Sequence, residues 1–339
     1  MKADFGFAVP ILAGGNDNLP RIPCSTTIDF GAAKEATILC EKLGYDALYM
    51  ADHLSMGGEI LEGWTVLSAL SAVTKSMRLG TIHTASLFRN PALLAKMSAT
   101  LDCISNGRLD LFLEAGHLGG KEETVSYGLP WSDDANVRAA MLEEAIAVIL
   151  QLWSGDESTF RGKYYSTEGA VCRPRPVQDP HPPIWIGTGG GEPAFTDKTG
   201  ADEVMIKVVA KHADVWNNTP ASVEHCRLKL KRLEEECITI GRDVGEITKS
   251  LETQVFIAKN EDELRRQLET VRRFNPAGKF FRDYEEFKQF YIAGTTEECI
   301  KRIQDYRRLG FTKFIVWFGD YPSLDGVRQF AADVIPQFR

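Results

Sequence analysis

Asp52 and His53 stand together just after an apolar run, Ala47 to Met50, and no other pair in this chain is better suited to acid–base work. A carboxylate beside an imidazole can hold the ring's charge and tautomer, making it a proton donor or acceptor near neutral pH. The same letters also read as a strand-end aspartate capping backbone beside a solvated histidine, and spacing alone does not choose. Gly187-Thr188-Gly189-Gly190-Gly191 follows a second apolar run. Consecutive glycines can turn backbone N–H groups inward as an anion cradle, or simply form a flexible loop. Ala115-Gly116-His117 closes a third run, where glycine permits close approach of a planar ring to the backbone. Ile82-His83-Thr84 closes a fourth. His181, His212 and His225 have no metal-ligand partners at usable spacing, so no metal site is expected.

These stretches meet only if the strands before them run parallel. Residues 78–116 supply the clearest unit. Arg78 to Ile82 is a short apolar run, and Asn90-Pro91 opens a helix with proline where the first-turn N–H has no partner. Leu93, Leu94, Met97, Leu101 and Ile104 give that helix an apolar face. Asn106-Gly107 ends it with residues that accept positive φ. Leu109 to Leu113 is a second buried strand, so the unit is βαβ and the loops after its strands share one face. Further strands are expected at Phe5 to Val9, Ala47 to Met50, Ile184 to Gly187, Ala213 to Trp216, Leu251 to Ile257 and Phe314 to Trp317. Helices are expected at 28–43, 64–74, 136–153, 204–211, 223–240, 262–290 (interrupted near 275–278) and 296–309, and residues 324–338 close the chain. Ser158 to Tyr165 reads as a hairpin around Arg161-Gly162. Eight strand–helix repeats count out a (β/α)8 TIM barrel with insertions, a single domain over 1–339. A doubly wound sheet would more naturally carry GxGxxG after its first strand, which is absent here.

The chain's balance excludes several classes. A net charge of −8 without any Lys/Arg-rich block argues against nucleic acid as a partner. Seven scattered cysteines without CxxC fit a reducing cytoplasm better than a disulfide framework or zinc cluster. No apolar segment approaches the roughly 18–20 residues that span a membrane. The opening MKADFGFAVP lacks the long apolar core of a signal peptide.

Several blocks together resemble the bacterial luciferase-like superfamily of flavin and deazaflavin oxidoreductases. They are Lys-Leu-Gly-Tyr-Asp (42–46) with Ala-Asp-His (51–53), Arg-Asn-Pro-Ala-Leu-Leu-Ala-Lys (89–96), and Ala-Thr-Leu-Asp followed by Ile-Ser-Asn-Gly-Arg (99–108). Leu-Trp-Ser-Gly (152–155), Phe-Arg-Gly-Lys-Tyr-Tyr (160–165), the proline-rich 173–187 and His-Ala-Asp-Val-Trp-Asn (212–217) extend the likeness nearly end to end. The resemblance implies a TIM barrel, usually dimeric, with an isoalloxazine-type cofactor at the C-terminal strand ends. It implies a non-prolyl cis peptide at Ile82-His83, and contact of the cofactor with Asp52, Ile82, His83, Ala115, Gly116, His117 and the 187–191 loop, with Trp216 beside that loop.

In the deazaflavin branch a matching Asp-His pair performs acid–base chemistry, which implies coenzyme F420 as cofactor and His53, oriented by Asp52, as the catalytic residue. Asp52→Ala and His53→Ala are then expected to lose turnover more than fold. The sugar-phosphate and alcohol dehydrogenases of that branch carry a glutamate where His117 stands and a tryptophan where Gly57 stands, so those substrates are not expected. The alternatives are an FMN-dependent monooxygenase using reduced flavin and oxygen, and a non-catalytic flavin-binding relative. The expected partner is a small-molecule substrate, in a cytoplasmic homodimer.

Overall fold

A computed structural model describes residues 2–13, 25, 27–55, 58–116, 120–189, 201–274 and 284–339. Its strands are β1 (Asp4–Ala8), β2 (Ala47–Ala51), β3 (Arg78–Ile82), β4 (Thr84–Ala85), β5 (Leu111–Glu114), β6 (Ser158–Arg161), β7 (Ser166–Ala170), β8 (Ile184–Thr188), β9 (Val215–Asn218), β10 (Thr248–Ile257), β11 (Ile292–Gly294) and β12 (Phe311–Phe318). The main sheet runs β3-β2-β1-β12-β10-β9-β8-β5-β4, every pairing parallel. Its two ends, β3 and β4, are consecutive in the chain, and Leu79 also bridges Leu109, so the sheet closes on itself as the expected barrel. The helices between the strands are α1 (Phe30–Leu43), α2 (Gly63–Ser71), α3 (Pro91–Ser105), α4 (Lys121–Ser126), α5 (Ala135–Ser154), α6 (Ala201–His212), α7 (Val223–Ile240), α8 (Glu261–Phe274), α9 (Tyr284–Phe290), α10 (Thr296–Arg308) and α11 (Asp325–Gln329).

Local chemistry sets the boundaries. The Asn90 side chain caps α3, Pro91 is its first residue, and Asn106 ends it at φ 57. Strand alternation then divides the core in two. Ala47, Tyr49, Ala51, Ile82, Phe112, Trp185, Val215, Ile315 and Trp317 pack inside the barrel. Their neighbours Leu48, Met50, Leu111, Leu113, Ile184, Ile186, Trp216, Phe314 and Val316 pack outward under the helices. Strands covered on both faces read as continuous apolar runs, which is why residues 47–51 and 184–188 are buried throughout.

Three details differ from the sequence reading. The hairpin's second strand is Ser166–Ala170, so its turn spans 162–165, where three backbone amides donate to Glu144. The expected helical stretch 262–290 is described as α8 and α9, one residue longer at its start, and the interruption expected near 275–278 lies outside the described residues. The short elements β4, β11 and α4 were not expected, because two to six residues carry too little periodicity to register.

Candidate active site

Parallel strands put every C-terminal strand end on one face, and the candidate residues gather there. His53 follows β2, the Ile82–His83 peptide follows β3 and is cis, Gly116 follows β5, and Gly187 to Gly189 end β8. His117, Gly190 and Gly191 lie outside the described residues.

Adjacent residues on a strand face opposite ways, and this separates the predicted pair. Ala51 points inward, so Asp52 points outward, 1% exposed, into the layer between barrel and helices. There Arg89 grips both carboxylate oxygens, at 2.6 and 2.9 Å, and Thr84 adds a hydrogen bond. Arg89 also pairs with Glu62, the N-cap of α2. The expectation that Asp52 orients His53 is therefore corrected: its carboxylate is a strut tying β2 to the loop before α3.

Glu123 carries the orienting role. It lies on α4, is 3% exposed, and its Oε1 sits 2.6 Å from His53 Nδ1. Its Oε2 accepts from the amides of Leu54 (2.8 Å) and Ser55 (2.9 Å). Burial pushes this carboxyl's pKa up, but the His53 bond and the two amides outweigh burial and hold it at about 2. The result is an imidazole–carboxylate dyad at the barrel mouth, the arrangement that fixes a histidine's tautomer for proton transfer.

A second histidine stands across the mouth. His83 packs its ring edge-on against Phe112, centroids 4.4 Å apart. Its Nδ1 lies 3.6 Å from Glu114 Oε2 and its Nε2 lies 3.7 Å from Glu252 Oε2. Glu252 is 1% exposed, and its other oxygen accepts the Trp317 indole N–H at 2.9 Å. Gly187 makes room for this ring: a Cβ there would stand 2.7 Å from His83 Cδ2. In register with Gly187, Asn217 is fully buried and neither side-chain polar atom has a partner among the described residues. Gly116 turns the chain at φ 78 and offers its carbonyl to Arg138. The Asn217 amide, buried without a partner among the described residues, leaves hydrogen-bonding capacity that fits a polar heterocycle.

The remaining predicted residues lie behind the mouth. Ala115 and Trp216 pack outward into the helix-facing core. Trp216 donates its indole N–H to Thr188 Oγ1 at 2.9 Å, so it braces the end of β8 from outside the barrel. The Gly189 amide donates to Asp202 Oδ1 at 2.7 Å, and Lys229 in turn donates to Asp202 Oδ2 at 2.9 Å. The first amide of the expected anion cradle thus already holds an anion.

Sequence reasoning passed over Glu114, Glu123, Glu252 and Arg89. Glu114 and Glu252 left a signal, since each is a carboxylate within an otherwise apolar strand. Glu123 left none. It is 70 residues from its partner, on a helix of six.

The family described as luciferase-like monooxygenase matches residues 4–313 of the chain. A protein named F420-dependent glucose-6-phosphate dehydrogenase, from Kineococcus radiotolerans, is 27% identical over 334 residues, covering 91% of this chain and 93% of that protein. An F420-dependent secondary alcohol dehydrogenase solved with an F420–acetone adduct superimposes with a TM-score of 0.76 at 20% identity, over the whole of both chains. A long-chain alkane monooxygenase superimposes at 0.78 with 16% identity, covering 99% of this chain and 91% of that one.

Proposed function

The chain belongs to the luciferase-like monooxygenase family, and from that premise we propose that it is a coenzyme F420-dependent oxidoreductase acting on a small organic molecule. The observation that carries the reading is the His53–Glu123 dyad at the same barrel mouth as the buried, unpartnered Asn217 amide. Full-length relatives named for F420 add support. When bound, a deazaflavin supplies hydride acceptance or donation at a ring carbon. The chain's own residues supply position and the proton. The buried Asn217 amide would meet the ring's polar edge. Nδ1 of His53 is engaged by Glu123, so Nε2 is the atom that exchanges a proton with the substrate. Asp52 serves indirectly, keeping the end of β2 in place through Arg89.

Titrating the purified protein with F420 and with FMN, followed by fluorescence, tests the reading. Tight F420 binding and loss of turnover in His53→Ala are expected. Binding of FMN alone would overturn the deazaflavin assignment in favour of a flavin monooxygenase. No helix among the described residues is long and apolar enough to cross a membrane. We place the protein in the cytoplasm as a homodimer, with light scattering at twice the 37.7 kDa chain mass as the check.

A further inference from the structure

The backbone amide of Gly189 and the ammonium of Lys229 converge on one carboxylate, that of Asp202, at 2.7 and 2.9 Å. An N–H and a cation aimed at the same pair of oxygens is how proteins hold an oxyanion. Here the chain fills such a place with its own acid. The contact is built from both sides. A Cβ on Gly189 would stand 2.8 Å from Asp202 Oδ1, so the carboxylate lies against bare backbone. Lys229 reaches across from α7 and also donates to Asn218 Oδ1 at 3.2 Å. Asn218 is fully buried at the end of β9, and the same oxygen accepts the Thr188 hydroxyl at 3.3 Å. Strands β8 and β9 and helix α7 thus hold Asp202 beside the first residue after β8. The carboxylate bridges amide and ammonium, so its charge meets the start of the glycine loop before that of Lys229 does.

We propose that Asp202 is a specificity-determining residue: held by Lys229 at the start of the glycine loop, it discriminates against cofactors whose phosphate carries two negative charges, relative to those whose phosphate carries one. A phosphodiester, as in F420, is a monoanion. A phosphomonoester, as in FMN, has a second pKa of about 6 and is close to a dianion at neutral pH. A cofactor whose ring sits at this mouth and whose phosphate reaches the end of β8 meets the Asp202 carboxylate there. The dianion is repelled twice as strongly as the monoanion. In a hydrated setting, one added charge at about 6 Å is worth about threefold in affinity. The inference rests on the ring site proposed above, and it gives the chain a preference between cofactors that does not depend on the ring.

The deciding experiment keeps the ring constant and changes the phosphate. Riboflavin, the methyl ester of FMN and FMN itself carry none, one and two phosphate charges. The matching deazaflavin riboside, its 5′-phosphate and the methyl ester of that phosphate make a second series. Dissociation constants are measured by fluorescence at about pH 8, where the monoester is dianionic, and at low ionic strength, where screening is weakest. In Asp202→Asn, affinity for the monoester relative to its methyl ester is expected to rise about threefold, with the riboside binding as before. Lys229→Gln leaves the acid without its cation and is expected to lower the same ratio. A disturbed loop has no reason to move the two variants in opposite directions while sparing the riboside. An unchanged ratio in Asp202→Asn, or a shift of the same sign in both variants, overturns the proposal. Should Asp202→Asn fail to fold, Asp202→Ser removes the same charge, with the same sign expected. Riboside binding reads the ring site alone. Ribosides that bind while the ratio stays fixed leave the ring-site reading standing and sink the charge discrimination; if no member of either series binds, both fall.

Discussion

Replacing Glu123 with Gln removes the charge from the dyad while keeping its shape. The carboxylate accepts from His53 Nδ1, Leu54 N and Ser55 N, and these bonds hold it at about 2 against an ordinary 4.5. That difference corresponds to about 3 kcal/mol of preferential interaction with the ionised form, which screening at the barrel rim trims to about 2 kcal/mol. A chain of this size unfolds with an entropy of about 0.7 kcal/mol/K, so Tm should fall by about 3 °C. The sign with pH follows from a depressed folded-state pKa. Stabilisation by Glu123 is complete above about 4.5 and is lost as pH falls towards about 2. The Tm gap between wild type and Glu123→Gln should therefore be constant near neutrality and close on acidification through that window. Turnover should fall further than stability, on the order of 100-fold, because His53 loses the group that sets its tautomer. Differential scanning fluorimetry across pH and single-turnover kinetics make the two measurements. If kcat stays within about twofold while His53→Ala is inactive, Glu123 does not position His53 for catalysis.

Three further outcomes can be checked. Asp52→Ala removes the buried partner of Arg89, leaving Glu62 as its carboxylate, and should cost about 2–3 kcal/mol, read as lost urea midpoint with per-molecule turnover far less affected than in His53→Ala. Gly187→Ala drives a methyl group into the His83 ring and should cost about 1–3 kcal/mol in thermal stability while weakening cofactor binding in titrations. Asp202→Asn keeps an acceptor for the Gly189 amide but removes a negative charge beside the loop. FMN should then bind several-fold tighter, about 1 kcal/mol, and riboflavin, which lacks the phosphate, should be unchanged.

The barrel was legible in the chain because its determinants are local. Apolar runs of four or five residues, helical periodicity between them, and stops such as Asn106-Gly107 and Gly44 each act within a few residues. Counting them gives eight repeats, and parallel strands then force their C-terminal ends onto one face. That alone puts His53, His83, Gly116 and Gly187 together.

What the sequence did not decide is which side chains touch. Asp52 adjoins His53 in the chain, yet strand alternation sends the two in opposite directions, and Asp52 finds Arg89 instead. The carboxylate that serves His53 arrives from α4, and the pair around His83 arrives from β5 and β10. A hydrogen bond reads distance in space, and closure of the barrel sets that distance. Neighbourhood along the chain does not.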